Sequence, residues 1–250
     1  MKNRQYNCND KQLIDTDLDF NINKQTELLS NENLLSFDLS LLIGTISLYF
    51  ITLLLYLLIA KYKKINLNLV FVVFFYHSCF CLFFYFYTFY NTSDAATYYF
   101  FSLYDYDCAS YLENRFGYKN TLNFINLLVD LKLNYLGIFI IFNLIGSIGV
   151  IYLFLSLQTI NITNDKSVNY LIYFIIFFPS LHFWTSGIGK DTIVFSATSI
   201  MFYIFLNKKS YFYIIICLFL IFLVRPYCAI LIALSLFINY ILKKKNTFRI

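Results

Sequence analysis

Residues 39–60 contain no charged side chain and end against Lys61-Tyr62-Lys63-Lys64. As a helix rising about 1.5 Å per residue, a run of this length crosses a hydrocarbon core of about 30 Å. Positive clusters stay on the cytoplasmic side, so this span enters from outside and leaves residues 1–38 external. The rest of the chain repeats the pattern. Apolar residues make up 60% of it and charged residues 13%, about half the charged fraction of an ordinary soluble domain. The class this composition allows is an all-α, polytopic helical membrane protein. Aromatic residues reach 22%, but Ile, Asn and Lys are also in excess over Ala, Gly and Arg. An AT-rich genome produces that bias, so aromatic abundance alone is no carbohydrate-binding signature.

Six further apolar stretches follow, at Leu67–Tyr90, 135–157, 170–184, 192–206, Tyr211–Val224 and 227–242. Lys208-Lys209 and Lys243-Lys244-Lys245 fall on the side of the first Lys cluster if each stretch crosses once. That gives about seven spans in the plasma (inner) membrane, with the transmembrane domain at 39–242 and a basic cytoplasmic tail at 243–250. Reading 211–242 as one kinked helix would split the last two Lys clusters between sides, so a hairpin is the better fit. Each arm of that hairpin reaches only about 23 Å, several Å short of the bilayer core. Arg225 and Lys190-Asp191 are therefore expected in a depression below the outer surface.

The polar tail at 1–38 is more acidic than basic and lacks the apolar core of a cleavable signal peptide, which reads as a disordered or loosely helical segment. Residues 91–134 form a large external loop. Within it, Ser93 can cap a helix that starts at Asp94. Asn120 or Thr121 can cap a second, running to Leu133 with Leu122, Ile125, Leu128 and Val129 on one face. Two amphipathic helices on the outer leaflet are expected. Sequons at Asn91-Thr92-Ser93 and Asn161-Ile162-Thr163 fall on opposite predicted sides and decide nothing. Cys79, Cys81, Cys217 and Cys228 lie in apolar runs, while Cys8 and Cys108 stand apart and leave a disulfide between them open. None has metal-ligand spacing. The net charge of +5 resides in Lys clusters at span ends, without a basic stripe bearing stacking aromatics, so nucleic acid is not an expected partner.

The residues that carry chemistry converge on the external side. Asp94 follows the second span, Lys190 and Asp191 follow the stretch that holds the chain's one Trp, and Arg225 follows the sixth span. Charges at membrane depth are costly unless paired or facing a wet cavity. Arg offers a bidentate fork to phosphate oxygens and Lys a compact point charge, while a carboxylate can orient or deprotonate an acceptor hydroxyl. Trp184 and Tyr98 or Tyr99 can stack on a sugar, His182 belongs to the same stretch, and backbone amides at Gly187 to Gly189 can form an anion nest. Plainer roles stand beside these. Asp191 suits a helix N-terminus with Lys190 snorkelling, Arg225-Pro226 suits a turn, and Asp94 suits a helix start. His77, inside the second span, reads as an interior histidine bonded to a neighbouring helix.

Ser93-Asp94-Ala95, Pro179-Ser180, Phe183-Trp184-Thr185-Ser186, Gly189-Lys190-Asp191 and Val224-Arg225-Pro226-Tyr227 together resemble a group of bacterial polytopic proteins that look like GT-C-class membrane glycosyltransferases. EpsG-like and Wzy-like polysaccharide polymerases belong to the same comparison. The resemblance covers roughly residues 67–242 and is carried mainly by the Trp to Lys-Asp segment. Thr185 and Tyr227 stand where the group has Ser and His, and the group commonly continues through further spans beyond this point. The resemblance implies transfer of a sugar or repeat unit from a polyprenyl-phosphate-linked donor on the outer face. In that reading Asp94 and Asp191 are catalytic, and Lys190, Arg225, Trp184, His182 and Tyr98 bind substrate. No cofactor is expected; a divalent metal at Asp94 stays open, with no ligand set evident in the sequence. A transporter or flippase component, or a non-catalytic membrane protein of polysaccharide assembly, are the rival readings.

Overall fold

A computed structural model describes residues 39–91, 93–103, 116–161, 165–208 and 210–247. The acidic tail, the Cys8 to Cys108 pairing and the charged middle of the 91–134 loop lie outside the described residues. Among the described residues all regular structure is helical. The elements are α1 (Leu39–Tyr62), α2 (Leu67–Tyr90), α3 (Asp94–Leu103), α4 (Phe116–Asp130), α5 (Tyr135–Ile160), α6 (Lys166–Ile176), α7 (Pro179–Ser186), α8 (Lys190–Leu206), α9 (Tyr211–Val224) and α10 (Pro226–Thr247).

Four stretches are long and apolar enough to cross a membrane: Leu42–Tyr62, Leu67–Tyr90, Tyr135–Ile160 and Lys166–Ser186. The protein is membrane-embedded. Tyr211–Val224 and Pro226–Asn239 are apolar but shorter, and α8 has 17 residues.

Helix α5 is the hub. It packs most extensively on α8 and also touches α1, α2, α6 and α7. Small residues permit this approach. A Cβ on Gly146 would collide with the Thr185 carbonyl, and one on Gly149 would meet Ser196 Oγ at 2.7 Å. Seryl hydroxyls on this face are satisfied inside the bundle: Ser147 donates to Asn143 O at 2.7 Å and Ser196 to Ile145 O at 2.6 Å. In hydrocarbon such close packing and hydrogen bonding replace the hydrophobic drive that holds soluble helices together. Helix α1 leans on α5 and α2 through Tyr56 and Ala60, both fully buried, while Phe50, Leu54 and Leu58 are exposed. Helix α10 packs on α9 at the periphery.

The expected span at 170–184 is two helices. Pro179 takes the first position of α7 and holds Phe178 extended, with φ −68 and ψ 119, because the residue before a proline is driven out of the helical region. Helix α6 therefore stops at Ile176.

Between α2 and α5, Ser93 Oγ accepts from Ala96 N at 3.3 Å and opens α3 as expected. The second helix begins earlier than the cap at Asn120 or Thr121 predicted, at Phe116, and ends at Asp130. Both side chains that looked like caps have other partners. Asn120 Nδ2 donates to Leu223 O at 2.8 Å and Thr121 Oγ1 to Gly117 O at 2.9 Å. Helices α3 and α4 pack on each other, and α4 packs on α9. Their inner faces join Tyr85, Tyr135, Phe139 and Phe142 in one apolar cluster that holds Tyr98, Tyr99, Tyr118, Ile125 and Leu128.

Candidate functional site

The end of the bundle where α9 stops and α8 starts is held by α4. Gly117 lies so close to the last turn of α9 that a Cβ would drive into the Val224 carbonyl, and Asn120 grips the neighbouring Leu223 carbonyl. That clamp fixes the chain just before Arg225, which caps α9 with its N–H on Ile221 O at 2.7 Å.

Arg225 Nη2 reaches Asp191 Oδ1 at 2.6 Å, with the two side chains 44% and 51% exposed. The acid sits in the first turn of α8, a favourable helix end, whereas the guanidinium stands between the C-terminus of α9, which favours it, and the N-terminus of α10, which does not. Half in water, such a pair adds about 0–1 kcal/mol to stability. Lys190, next to Asp191, carries its ammonium 5.1 Å above the Tyr118 ring, and the ring of Tyr98 lies beneath Tyr118 with centroids 4.4 Å apart. Burial pushes the Tyr98 phenol up. Asp94 and Tyr118 add to the rise, while the Thr121 hydroxyl and Arg225 oppose it. The Thr121 hydroxyl donates to Gly117 O, and Tyr98 Oη has no hydrogen bond of normal geometry among the described residues.

Four residues named from the sequence, Lys190, Asp191, Arg225 and Tyr98, thus belong to one neighbourhood, and Asp94 acts on Tyr98 electrostatically. Tyr98 is fully buried, so it serves as a floor under Tyr118 and leaves no face for a sugar. Trp184 is exposed at 58% and meets Phe183 edge-on. His182 is fully buried; its Nδ1 lies 2.9 Å from His77 Nδ1 and its Nε2 2.6 Å from Ile176 O, which commits both ring nitrogens inside the protein.

The glycine segment does not form the expected nest. Gly187 has φ −93 and ψ 167, and Gly189 has φ 170 and ψ 171, both extended, whereas a nest needs successive helical conformations of opposite hand. Gly189 is the N-cap of α8 and brings no side-chain acceptor. Sequence reasoning missed Tyr118 and Gly117, and read Asn120 as a cap, although these residues of α4 build the wall and the clamp. A lone Gly ahead of a helical apolar face was the available signal, and it does not reveal which helix end will press on it. No group of three His, Cys, Asp or Glu suited to a metal occurs among the described residues.

The arrangement is a half-exposed Arg with an exchangeable carboxylate partner, beside an ammonium on an aromatic face. Chemically it suits an anion bearing an apolar or ring-shaped group. Set against protein families, curated proteins and solved structures, the chain matches none of them.

Proposed function

We propose that the chain is a membrane glycosyltransferase or polysaccharide polymerase that takes its sugar from a polyprenyl-phosphate-linked donor on the outer face of the plasma membrane. The observation that carries this reading is the Arg225 to Asp191 pair at 2.6 Å beside Lys190 on Tyr118. Arg225 and Lys190 clamp the phosphates, Asp191 gives up Arg225 when the donor arrives, and Asp94 accepts the proton of the acceptor hydroxyl. The topology belonging to this proposal has about seven spans, the 17-residue α8, the 14-residue α9 and α10 included. The N-terminus is outside, and α3 and α4 sit at the outer leaflet.

The test replaces Asp94, Lys190 and Arg225 singly by Ala and measures glycan length and accumulation of lipid-linked precursor. Precursor accumulation with shortened glycan is the expected result, and normal glycan in all three variants ends the proposal. A transporter or flippase of the same carrier is a second reading, favoured by the interruption between α6 and α7, since broken helices mark carrier sites in transporters. Reconstituted vesicles with a labelled carrier separate movement across the bilayer from sugar transfer.

A further inference from the structure

The chain has two histidines, and they meet. His77 on α2 and His182 on α7 are 105 residues apart in sequence, yet their Nδ1 atoms lie 2.9 Å from each other. Both are fully buried, and no Asp, Glu, Lys or Arg is buried among the described residues. The far nitrogen of each ring points at a helix end. His182 Nε2 is 2.6 Å from Ile176 O, the last residue of α6. Beside His77 Nε2 is the carbonyl of Thr185, in the last turn of α7, at a geometry that stops short of a hydrogen bond.

Counting protons shows what is unusual. The row Ile176 O, His182 Nε2, His182 Nδ1, His77 Nδ1, His77 Nε2, Thr185 O contains two contacts at hydrogen-bond distance and, at Thr185, an approach short of one; closing all three takes three N–H. Two neutral imidazoles own two. With the 2.6 Å bond made, His182 Nδ1 is a bare acceptor. If His77 then donates from Nδ1, its Nε2 lone pair confronts the Thr185 carbonyl. If it donates from Nε2, two lone pairs confront each other at 2.9 Å. A third proton satisfies the whole row.

We propose that His77 and His182 form an intramembrane proton-binding site that takes up one H⁺ per pair from water and holds it as a single shared cation. Burial in hydrocarbon opposes the charge, and the surroundings offset it. Carbonyls at the ends of two helices carry the partial negative charge that favours a cation there. The other groups on the pair are few. From α2, Tyr76 lies edge-on to His182 with centroids 4.7 Å apart and its hydroxyl on Phe177 O, and Phe80 stacks on the same ring at 5.9 Å. From α5 come Gly146 and, one turn away, Asn143, which donates to Ser78 Oγ at 3.0 Å. The buried polar residues of α8, Thr192, Ser196 and Ser199, are neutral, and the first two spend their hydroxyls on Gly187 O and Ile145 O. Uptake of the third proton draws the Thr185 carbonyl onto His77 and ties the end of α7 to α2. Lys190 follows Thr185 by five residues in the chain, so the tie reaches the segment that carries the Lys190-Asp191 pair. The proton site stands whether or not that pair serves glycan transfer.

The experiment uses the whole chain, labelled with ¹⁵N in histidine and ¹³C at the threonine carbonyls and reconstituted in bilayers, where the two rings give four nitrogen signals. Magic-angle NMR follows them across about pH 5 to 8, the range in which imidazole titrates. The expected result is one step for the chain, from two protonated nitrogens to three, with the Thr185 carbonyl ¹³C signal moving at the same midpoint. In His77→Gln, the step is expected to vanish and His182 to stay neutral with its proton on Nε2. Four protonated nitrogens at the acid end, two at every pH, or a step that survives unmoved in His77→Gln each overturn the proposal.

Discussion

The two ends of the bundle handle positive charge in different ways. At one, Lys63 stands over three tyrosine rings, 5.3 Å from Tyr62, 5.4 Å from Tyr152 and 5.1 Å from Tyr203, and so joins the ends of α1, α5 and α8. At the other, Arg225 meets a carboxylate and Lys190 lies over the Tyr118 ring. A π-face is an intrinsic part of the wall and no solute displaces it. A half-exposed carboxylate is a placeholder that another anion can replace. The first end anchors, and the second is built to exchange partners.

The sharpest way to break this contrast is to remove one cation from each end. Arg225→Ala is expected to weaken binding of a prenyl diphosphate about 10- to 100-fold, since hydrogen bonds to charged groups contribute about 1.5–3 kcal/mol. Lys63→Ala is expected to leave it within about twofold. Calorimetry in detergent reads both, and equal losses would erase the distinction. Next in size is the clamp that holds the exchanging end. Gly117→Ala pushes a methyl into the Val224 carbonyl and is expected to lower stability by about 1–3 kcal/mol. Gly44, where a Cβ meets nothing within 4 Å, is the control, and Gly44→Ala should be neutral or slightly stabilising in the same melt. Lys63→Met should cost about 0.5–1 kcal/mol through the lost ring contacts, with a double-mutant cycle against Tyr203→Leu recovering most of it as coupling. The smallest effect belongs to Asp191→Asn. Stability should change by no more than about 1 kcal/mol, while prenyl diphosphate binding strengthens because Arg225 has lost its placeholder. Weaker binding in that variant would make Asp191 part of the ligand's cradle.

Hydropathy made the helical class and the long spans readable, because a membrane-crossing segment announces itself by length and by the Lys residues at its end. Leu122, Ile125, Leu128 and Val129 were readable as one face and do line the apolar cluster under α4. Local cues worked where the cause was local, as at Ser93 before α3. They failed where a partner far along the chain decided. Thr121 looked like a cap and is a mid-helix hydroxyl bonded to its own helix. A kink from Pro179 could be foreseen in principle, yet hydropathy averages across it. The pairing of His77 with His182 left no trace in the sequence: each is one polar residue in an apolar run, and only the packing of α7 on α2 brings them together.

Trp184, the chain's one tryptophan, points away from the bundle at 58% exposure, two residues before α7 ends. Indole rings settle where acyl chains give way to headgroups, so this side chain is a built-in depth gauge. Brominated lipids with the halogen at known carbons would quench its emission in proportion to proximity, and the profile would fix how far below the surface the neighbouring charges are anchored, without an introduced probe.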